Sequence, residues 1–247
     1  MKTAVISITR HGLATAGGVV AALPGAQLYA PEKFAAEAQS AAPGQAHPYA
    51  CKTGEQLGTL FANHDAIIAI LSLGATVRMI APFLQSKETD PAVVVLDEGG
   101  KFVIPVLSGH LGGANALAGH LATALGAQAA LTTASDSRET IAVDLLGREL
   151  GWTFEATHDE LVHASAAVVN DEPVALVQEA GSTGWWTHHA NGRQGALPAN
   201  VTLFDTLEDV APEKFAAVLW VSVRPMPADY REKLAGRCVT YRPGSGS

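Results

Sequence analysis

Short hydrophobic runs rich in valine, isoleucine and leucine alternate with alanine-rich segments along the first half of the chain. Several of these runs are apolar throughout, rather than alternating apolar with polar residues. Uniformly apolar strands are typical of a sheet that helices cover on both faces. The predicted strands are Ala4–Ile8, Ala66–Leu71, Ala92–Leu96, Phe102–Leu107 and Ala129–Thr132.

The segments between these runs place their apolar residues at helical spacing. The predicted helices are Ala14–Leu23, Glu32–Gln39, Gly54–Asn63, Ala75–Leu84 and Leu111–Leu125. Strands that alternate with helices define the α/β class. The pattern therefore predicts a layered α/β/α domain over residues 1–136.

The pattern of hydrophobic and polar residues changes after Asp136. Glu139–Leu150 is predicted to be a helix, and a second helix is predicted to begin at Thr157, which has the spacing of a capping box with Glu160. Three strands should follow, namely Val174–Gln178, Val201–Phe204 and Ala217–Val223. We expect a second, smaller α/β domain over residues 137–243, and residues 244–247 resemble a linker or a cloning remnant.

Composition narrows the classes of function. The chain has 247 residues, of which 48% are hydrophobic, and its net charge of −8 argues against a nucleic-acid partner because no basic stripe could neutralise phosphates. No apolar run reaches the ~20 residues of a membrane helix, and the N-terminus lacks the features of a signal peptide, so we expect a cytoplasmic protein. Cys51 and Cys238 stand far apart, and no metal site is predicted.

The glycine-rich segment Ser108–Asn115 is the most informative candidate for chemistry. It follows a predicted strand and precedes a helix, so its glycines could let the backbone approach a carboxylate or phosphate at the helix N-terminus. A tight turn whose glycines serve only close packing is an equal alternative. His110 stands out because it lies inside this turn, and His11 is second for a similar reason. The P-loop and Rossmann motifs are absent.

Two further segments follow strands. In the first, Ser72 and Gly74 form a turn, and Arg78 is expected in the first turn of the next helix, where it could bind a carboxylate or be a solvated surface arginine. In the second, Asp97 and Glu98 precede Gly99-Gly100, which favours a hairpin turn over a catalytic carboxylate. A hairpin would put Asp97 and Ser108 at opposite edges of the sheet, so that both could not line one pocket. We favour the edge that carries Ser108.

Three segments in close order resemble the N-terminal domain of the CbiG family of cobalt-precorrin-5A hydrolases. They are Ser72–Arg78, Asp90–Glu98 and Leu107–Asn115, and Thr132–Asp136 closes the block where the family has it. The remainder, to about Pro243, resembles the family's more variable central region. Family members usually continue into a C-terminal domain that resembles CobE, and we expect this chain to lack it.

The resemblance implies a reaction of anaerobic cobalamin biosynthesis. Water opens the δ-lactone of cobalt-precorrin-5A, and a two-carbon fragment leaves as acetaldehyde to give cobalt-precorrin-5B. Cobalt arrives in the tetrapyrrole substrate, so no cofactor is implied. The acetate and propionate carboxylates of the substrate could bind at three places, whose residues are Ser72, Gly74 and Arg78; Ser108, Gly109, Gly112, Gly113 and Asn115; and Ser135.

Within this reaction, His110 is the candidate base, because the ordinary pKa of histidine lies near neutrality. Asp136 is the candidate to orient it or a water molecule, and His11, Asp97 and Glu98 are further candidates. Backbone N–H groups near Gly112 and Gly113 could stabilise the oxyanion. We also expect Gly112→Val to weaken ligand binding with little loss of fold stability.

Two other classes of function stay open. One is a non-catalytic tetrapyrrole-binding module that needs the C-terminal domain or a partner enzyme, and the other is an unrelated anion-binding α/β enzyme. The partners to consider are neighbouring enzymes of the pathway, a separate C-terminal domain and a second copy in a homodimer.

Overall fold

A computed structural model describes residues 1–86, 89–188 and 195–244. Most of the predicted linker, residues 245–247, lies outside the described residues. The chain forms two compact units, Met1–Leu131 and Thr132–Ser247, so the division falls slightly before Asp136. Each unit contains a mixed sheet with helices, which confirms the α/β class.

The first unit is built on a seven-stranded sheet of order β3-β2-β1-β4-β5-β6-β7. Every neighbouring pair is parallel except β5 and β6, which are antiparallel. The strand order reverses between β1 and β4, which makes this pair a topological switch point. The strands are β1 Thr3–Ser7, β2 Gln27–Pro31, β3 Ala46–Tyr49, β4 Ala66–Ile70, β5 Ala92–Leu96, β6 Phe102–Leu107 and β7 Gln128–Ala129.

Helices cover both faces of this sheet, as predicted. They are α1 Arg10–Ala22, α2 Ala35–Ala41, α3 Thr53–Asn63, α4 Leu73–Ile80 and α5 Ala114–Leu125. Leu13 of α1 and Leu121 of α5 pack in one core layer with Val5, whereas Leu57 of α3 and Ile80 of α4 pack with the next residue, Ile6, in the other. Adjacent residues of β1 therefore serve opposite layers, which explains why that strand is apolar throughout.

The second unit has a five-stranded sheet of order β10-β9-β11-β12-β8, in which only the β12–β8 pair is antiparallel. The predicted capping box is confirmed, since the Thr157 side chain and Glu160 satisfy each other's backbone N–H groups. The elements are α6 Ala134–Ser137, β8 Thr153–Glu155, α7 His158–Val169, β9 Val174–Gln178, β10 Val201–Phe204, β11 Ala217–Val221, α8 Ala228–Lys233 and β12 Cys238–Arg242.

The helix predicted over Glu139–Leu150 is wrong. That segment contains two short 3-10 turns, Val143–Leu145 and Arg148–Leu150. Gly147 separates them at φ 74°, and a Cβ there would lie 2.0 Å from the Trp152 ring. The close approach of this ring requires glycine and interrupts helical geometry. In the part of the chain that the structure describes, no helix is both long and apolar enough to cross a membrane.

Candidate functional site

The candidate residues of the first unit lie at two opposite edges of its sheet. Because β5 and β6 are antiparallel, Asp97 after β5 and Ser108 after β6 point to different edges, as the hairpin interpretation predicted. We call the end of β1, β4 and β5 the switch-point edge; it carries His11, Ser72, Gly74, Asp97 and Glu98. We call the end of β6, with the turn Ser108–Asn115, the Ser108 edge.

The turn at the Ser108 edge closes on itself through its own backbone. The Ser108 carbonyl accepts from the Ala114 N–H at 3.1 Å, the Gly109 carbonyl from the Asn115 N–H at 3.0 Å, and the His110 carbonyl from the Gly113 N–H at 2.9 Å. Ala114 and Asn115 supply the first two N–H groups of α5. These donors, which the sequence analysis assigned to an anion or oxyanion, are therefore used within the protein.

Internal packing explains two of the glycines in this turn. A Cβ on Gly109 would lie 2.8 Å from Asn115 Oδ1, and one on Gly112 would lie 2.4 Å from Ser108 Cβ and 2.8 Å from the Ser108 carbonyl oxygen. A Cβ on Gly109 would require the Asn115 side chain to move, whereas one on Gly112 would collide with the backbone and Cβ of Ser108. The structure therefore supports the packing alternative, and the expectation that Gly112→Val would leave stability almost unchanged is wrong.

Ser108 has an unusual backbone conformation with φ 54°. Non-glycine residues rarely adopt this left-handed region, and they do so where surrounding contacts hold them. Its hydroxyl donates to the Asp90 carbonyl at 2.8 Å, which ties the turn to the start of β5. The Ser108 hydroxyl therefore already has a partner within the protein. The His110 side chain, two residues later, is half-buried.

At the switch-point edge, the start of α1 already holds a carboxylate of the chain itself. The Thr9 hydroxyl accepts from the Gly12 N–H at 3.1 Å and donates to the Glu98 carboxylate. Thr15 Oγ1 also donates to the Glu98 carbonyl at 2.7 Å. A carboxylate is stabilised at a helix N-terminus by the helix dipole. The exposed His11 lies in the first turn of the same helix.

Asp97 has a structural role in the hairpin. Its carboxylate accepts from the N–H groups of Gly99, Lys101 and Phe102 at 3.1, 2.8 and 2.7 Å. Three backbone donors on one side chain stabilise the turn that joins β5 to β6. This geometry supports the hairpin interpretation over a catalytic carboxylate.

The α4 helix presents an exposed face at the switch-point edge. Ser72, Gly74 and Arg78 are all exposed, as are Leu73 at 42% and Val77 at 44%. Arg78 lies in the last turn of α4, so its predicted place in the first turn is wrong. The helix begins at Leu73, two residues before the predicted start at Ala75, which shifts Arg78 along it.

Ser135 and Asp136 belong to the second unit. The Asp136 carboxylate accepts from the Thr133 hydroxyl, and the carbonyl of the buried Ser135 accepts from the Thr140 N–H at 2.9 Å. These contacts order the short helix α6. The roles proposed for both residues toward a substrate stay predictions.

The sequence analysis missed an ionic network at the carboxyl ends of β9 and β11. Arg224 pairs with Glu179 at 2.6 Å and with Glu208 at 2.7 Å. Burial alone would raise the pKa of Glu179, but hydrogen bonds from Arg224, the Leu207 N–H and Ser222 lower it to about 2. The only sequence signal was a charged residue one or three positions after each strand.

Next to this network, Arg242 pairs with Glu155 at 2.9 Å and donates to the carbonyls of Ser222 and Arg224. Both guanidinium groups lie over the buried Trp220 ring, at 5.7 Å for Arg224 and 5.6 Å for Arg242. Counting Glu179, Glu208 and Glu155 against the two arginines, the carboxylates outnumber the cations. The network therefore favours a structural role over anion binding.

Neither cysteine has a partner sulfur. Cys51 is exposed and Cys238 is buried, and burial raises the pKa of the Cys238 thiol to about 12. Among residues 1–86, 89–188 and 195–244, no group of three or more His, Cys, Asp or Glu side chains is placed to hold a metal ion.

Two family models match the chain in succession. The model described as cobalamin synthesis G N-terminal matches residues 55–136, and the one described as cobalamin biosynthesis central region matches residues 141–243. The chain belongs to the CbiG family. The matched parts are its N-terminal and central regions, and they extend over both compact units.

Relatives support this assignment. A cobalt-precorrin-5A hydrolase from Priestia megaterium is 38% identical over 240 residues, which are 97% of this chain and 62% of that protein. One from Salmonella typhimurium is 40% identical over 126 residues, which are 51% of this chain and 34% of that protein. The chain thus spans less than two thirds of the length of either relative.

A solved structure supports the fold of the CbiG chain. It is a crystal structure from Sulfolobus solfataricus, described as a homologue of cobalamin biosynthesis protein G. It matches with a TM-score of 0.50 and 18% identity, covering 98% of this chain and 60% of that one. At this identity the match bears on the fold alone.

Proposed function

We propose that this CbiG chain acts in anaerobic cobalamin biosynthesis, in the cytoplasm, as a cobalt-precorrin-5A hydrolase. The observation that carries the proposal is the 38% identity to the Priestia megaterium hydrolase over 97% of the chain. The similarity extends through both units rather than through one isolated motif. The substrate would be a tetrapyrrole that carries its own cobalt, and the protein would supply no cofactor.

The reaction requires three things of the protein. Water adds to the lactone carbonyl, so a base must accept a proton and donors must stabilise the oxyanion. The acyl C–O bond then breaks to give a carboxylate and an alcohol. The alcohol loses its proton and the C–C bond that joins its carbon to the macrocycle breaks, so that the two-carbon fragment leaves as acetaldehyde and the electron pair stays on the macrocycle, which takes up a proton. Carboxylates around the macrocycle must also be held in place, for which arginine and backbone N–H groups are suited.

His110 is the candidate base, and Asp136 is the candidate to orient a histidine or a water molecule. Support for His110 is its half-buried place in an ordered turn, whose neighbour Ser108 is held in the left-handed region. His11 offers an exposed imidazole at the opposite edge of the same sheet. The two histidines are therefore separable candidates for the proton transfer.

A second candidate function is a binding module that holds the tetrapyrrole and needs a further domain or a pathway enzyme for turnover. The observation that favours it is that three of the candidate polar side chains, those of Ser108, Asp97 and Glu98, are hydrogen-bonded within the chain. A second copy of the chain could also complete the site.

Incubation with cobalt-precorrin-5A tests both candidates, with acetaldehyde measured by an alcohol dehydrogenase assay. Release of acetaldehyde, together with the mass of cobalt-precorrin-5B, would support the hydrolase. An absorbance change of the macrocycle without acetaldehyde would support the binding module. If neither appeared, both candidate functions would be contradicted for this chain by itself.

A further inference from the structure

We infer that the carboxylated macrocycle binds on the exposed face of α4 at the switch-point edge, and not on the Ser108–Asn115 turn. The face consists of Ser72, Leu73, Gly74, Val77 and Arg78. The inference rests on the substrate class in the proposed function, and it names the surface that would recognise it.

The position of this face in the fold is the first support. In open α/β sheets, ligands bind outside the carboxyl ends of the strands where the strand order reverses, which here is the β1–β4 pair. Helix α1 packs on one side of the sheet and α4 on the other, so their N-termini flank this position. The face of α4 therefore borders the place where the fold favours a ligand.

A buried hydroxyl lies at the end of β1, on the side of the sheet that α1 covers. Ser7 ends β1, pairs with Ile70 at the end of β4, and has no exposed surface. Its Oγ has no hydrogen-bond partner among the residues that the structure describes, and it points toward Gly12 in the first turn of α1. Buried hydroxyls nearly always have a partner. The described part of the switch point therefore has one unused hydrogen-bonding group on its α1 side, which supports the position of a ligand at the switch point and adds no contact on α4.

The apolar residues of the face suit the body of a macrocycle. Leu73 and Val77 are one helical turn apart, so they form a continuous strip, and each leaves more than two fifths of its surface exposed. A flat tetrapyrrole ring placed across this strip would remove both side chains from water, which is favourable.

The polar residues of the face suit the carboxylates at the rim of such a ring. Arg78 is exposed and forms no ion pair with a described carboxylate, although the chain carries a net charge of −8. One turn earlier, a Cβ on Gly74 would meet nothing within 4 Å, so the backbone there is open. Ser72 forms no side-chain cap, which leaves the first N–H groups of α4 for an acceptor.

At the other candidate surfaces, groups of the chain itself already occupy hydrogen-bond donors that a ligand would need. Glu98 occupies the N-terminus of α1 through Thr9. Within the Ser108 turn, internal hydrogen bonds use the N–H groups of Gly113, Ala114 and Asn115. The five residues of β5 separate the two edges by roughly 17 Å. A ring bound on α4 would thus lie away from His110, and His11 is the histidine at the same edge.

Binding titrations with two corrinoids test the inference. Cobyrinic acid carries free carboxylates on a cobalt corrinoid, whereas the side chains of cobinamide end in amides. We expect Arg78→Gln to weaken cobyrinic acid binding about tenfold or more, with partial rescue by Arg78→Lys, and to change cobinamide binding far less. Lys2→Gln removes an equal charge at the opposite edge and should leave both affinities unchanged.

The apolar strip has its own matched pair of variants. Val77→Ser should weaken binding of both corrinoids about threefold or more, because the ring loses apolar contact. Val162→Ser removes a helical valine of similar exposure, 48% against 44%, in the second unit and should have no effect. Circular dichroism of each variant would show that the fold persists.

Four results would overturn the inference. The first is parent-like affinity in both Arg78→Gln and Val77→Ser, and the second is loss of affinity in Asn115→Ala alone. The third is a Val77→Ser change in oligomeric state at constant affinity, which would make the face a protein interface. The fourth is a parent chain that binds neither corrinoid. A parent that binds but releases no acetaldehyde would contradict the proposed hydrolase and leave this inference standing.

Discussion

Arg224 donates from Nε and Nη2 to the two carboxylate oxygens of Glu179, over 2.9 and 2.6 Å. This paired geometry joins the end of β9 to the loop after β11 at the switch point of the second sheet. The side chain of Glu179 is 11% exposed and that of Arg224 is 39% exposed, so solvent weakens the pair only on its arginine side.

Glu179→Gln should therefore destabilise the protein by about 1–2 kcal/mol at neutral pH. The pKa of Glu179 is about 2, against 4.5 for an ordinary glutamate, so its contribution is complete above pH 4.5 and is lost as the pH falls toward 2. Urea unfolding of both proteins between pH 7 and 3 would measure this. Equal pH dependence in the parent and the variant would contradict the assignment.

His64 should contribute to the same acid limb of the pH profile, at a higher pH than Glu179. Its Nδ1 donates to the Leu60 carbonyl at 3.2 Å, and its Nε2 lies 3.3 Å from the Tyr29 hydroxyl. Burial lowers the pKa of His64 below 6.5. The unfolded chain thus binds a proton that the folded chain resists, and stability should fall as the pH drops below 6.5.

The change to measure is the free energy of unfolding from pH 7.5 to 5.5. His64→Gln should flatten this slope. Tyr29→Phe keeps the imidazole and serves as the control, since it should keep the slope. If the stability of the parent protein did not change over this pH range, the role assigned to His64 would be wrong.

Two glycines of one helical region should respond to alanine in opposite directions. Gly112→Ala forces a Cβ to within 2.4 Å of Ser108 Cβ, so we expect a loss of about 2 kcal/mol or more. Gly119→Ala in the middle of α5 meets nothing within 4 Å and should stabilise the protein by about 0.5–1 kcal/mol. Thermal unfolding of both variants would measure these changes in stability. A Gly112→Ala variant as stable as the parent would contradict the packing explanation.

The histidine that carries the proton transfer can be assigned by turnover. Loss of a general base typically costs 100-fold or more in rate. If the ring binds on α4, His11→Ala should lose acetaldehyde release on that scale and His110→Ala should lose little. The reverse result would place the proton transfer at the Ser108 edge, which the sequence analysis favoured. Unchanged macrocycle affinity in both variants would show that the loss lies in the chemical step.

The sequence pattern predicted the buried parallel strands well, because burial on both faces makes them apolar throughout. It missed β2 and β3, which lie toward one edge of the sheet. β2 alternates half-buried with buried residues, and β3 contains His47 and Pro48, which are unusual in a central strand. β12 was overlooked for another reason, since its polar Thr240 and Arg242 hide a strand whose first four residues are buried.

The candidate site was predictable only as far as local chemistry allowed. The Gly-Gly hairpin after Asp97 was enough to predict that Asp97 and Ser108 lie at opposite edges. The hydrogen bonds that the N–H groups of the Ser108 turn form to its own carbonyl groups could not be predicted, because they depend on how the turn folds back on itself. Glu179 and Arg224 are 45 positions apart, so no local pattern could pair them.

The antiparallel pairing of β8 with β12 joins the first strand of the second unit to its last strand. Thr240 lies beside Glu155, Tyr241 beside Phe154 and Arg242 beside Thr153, and the Arg242–Glu155 ion pair fastens the join. Among the described strands, β8 therefore pairs with β12 alone. Amide hydrogens that join β8 to β12 should exchange with solvent together, and fraying of β12 should expose β8, whereas β12 keeps its pairing with β11 when β8 frays.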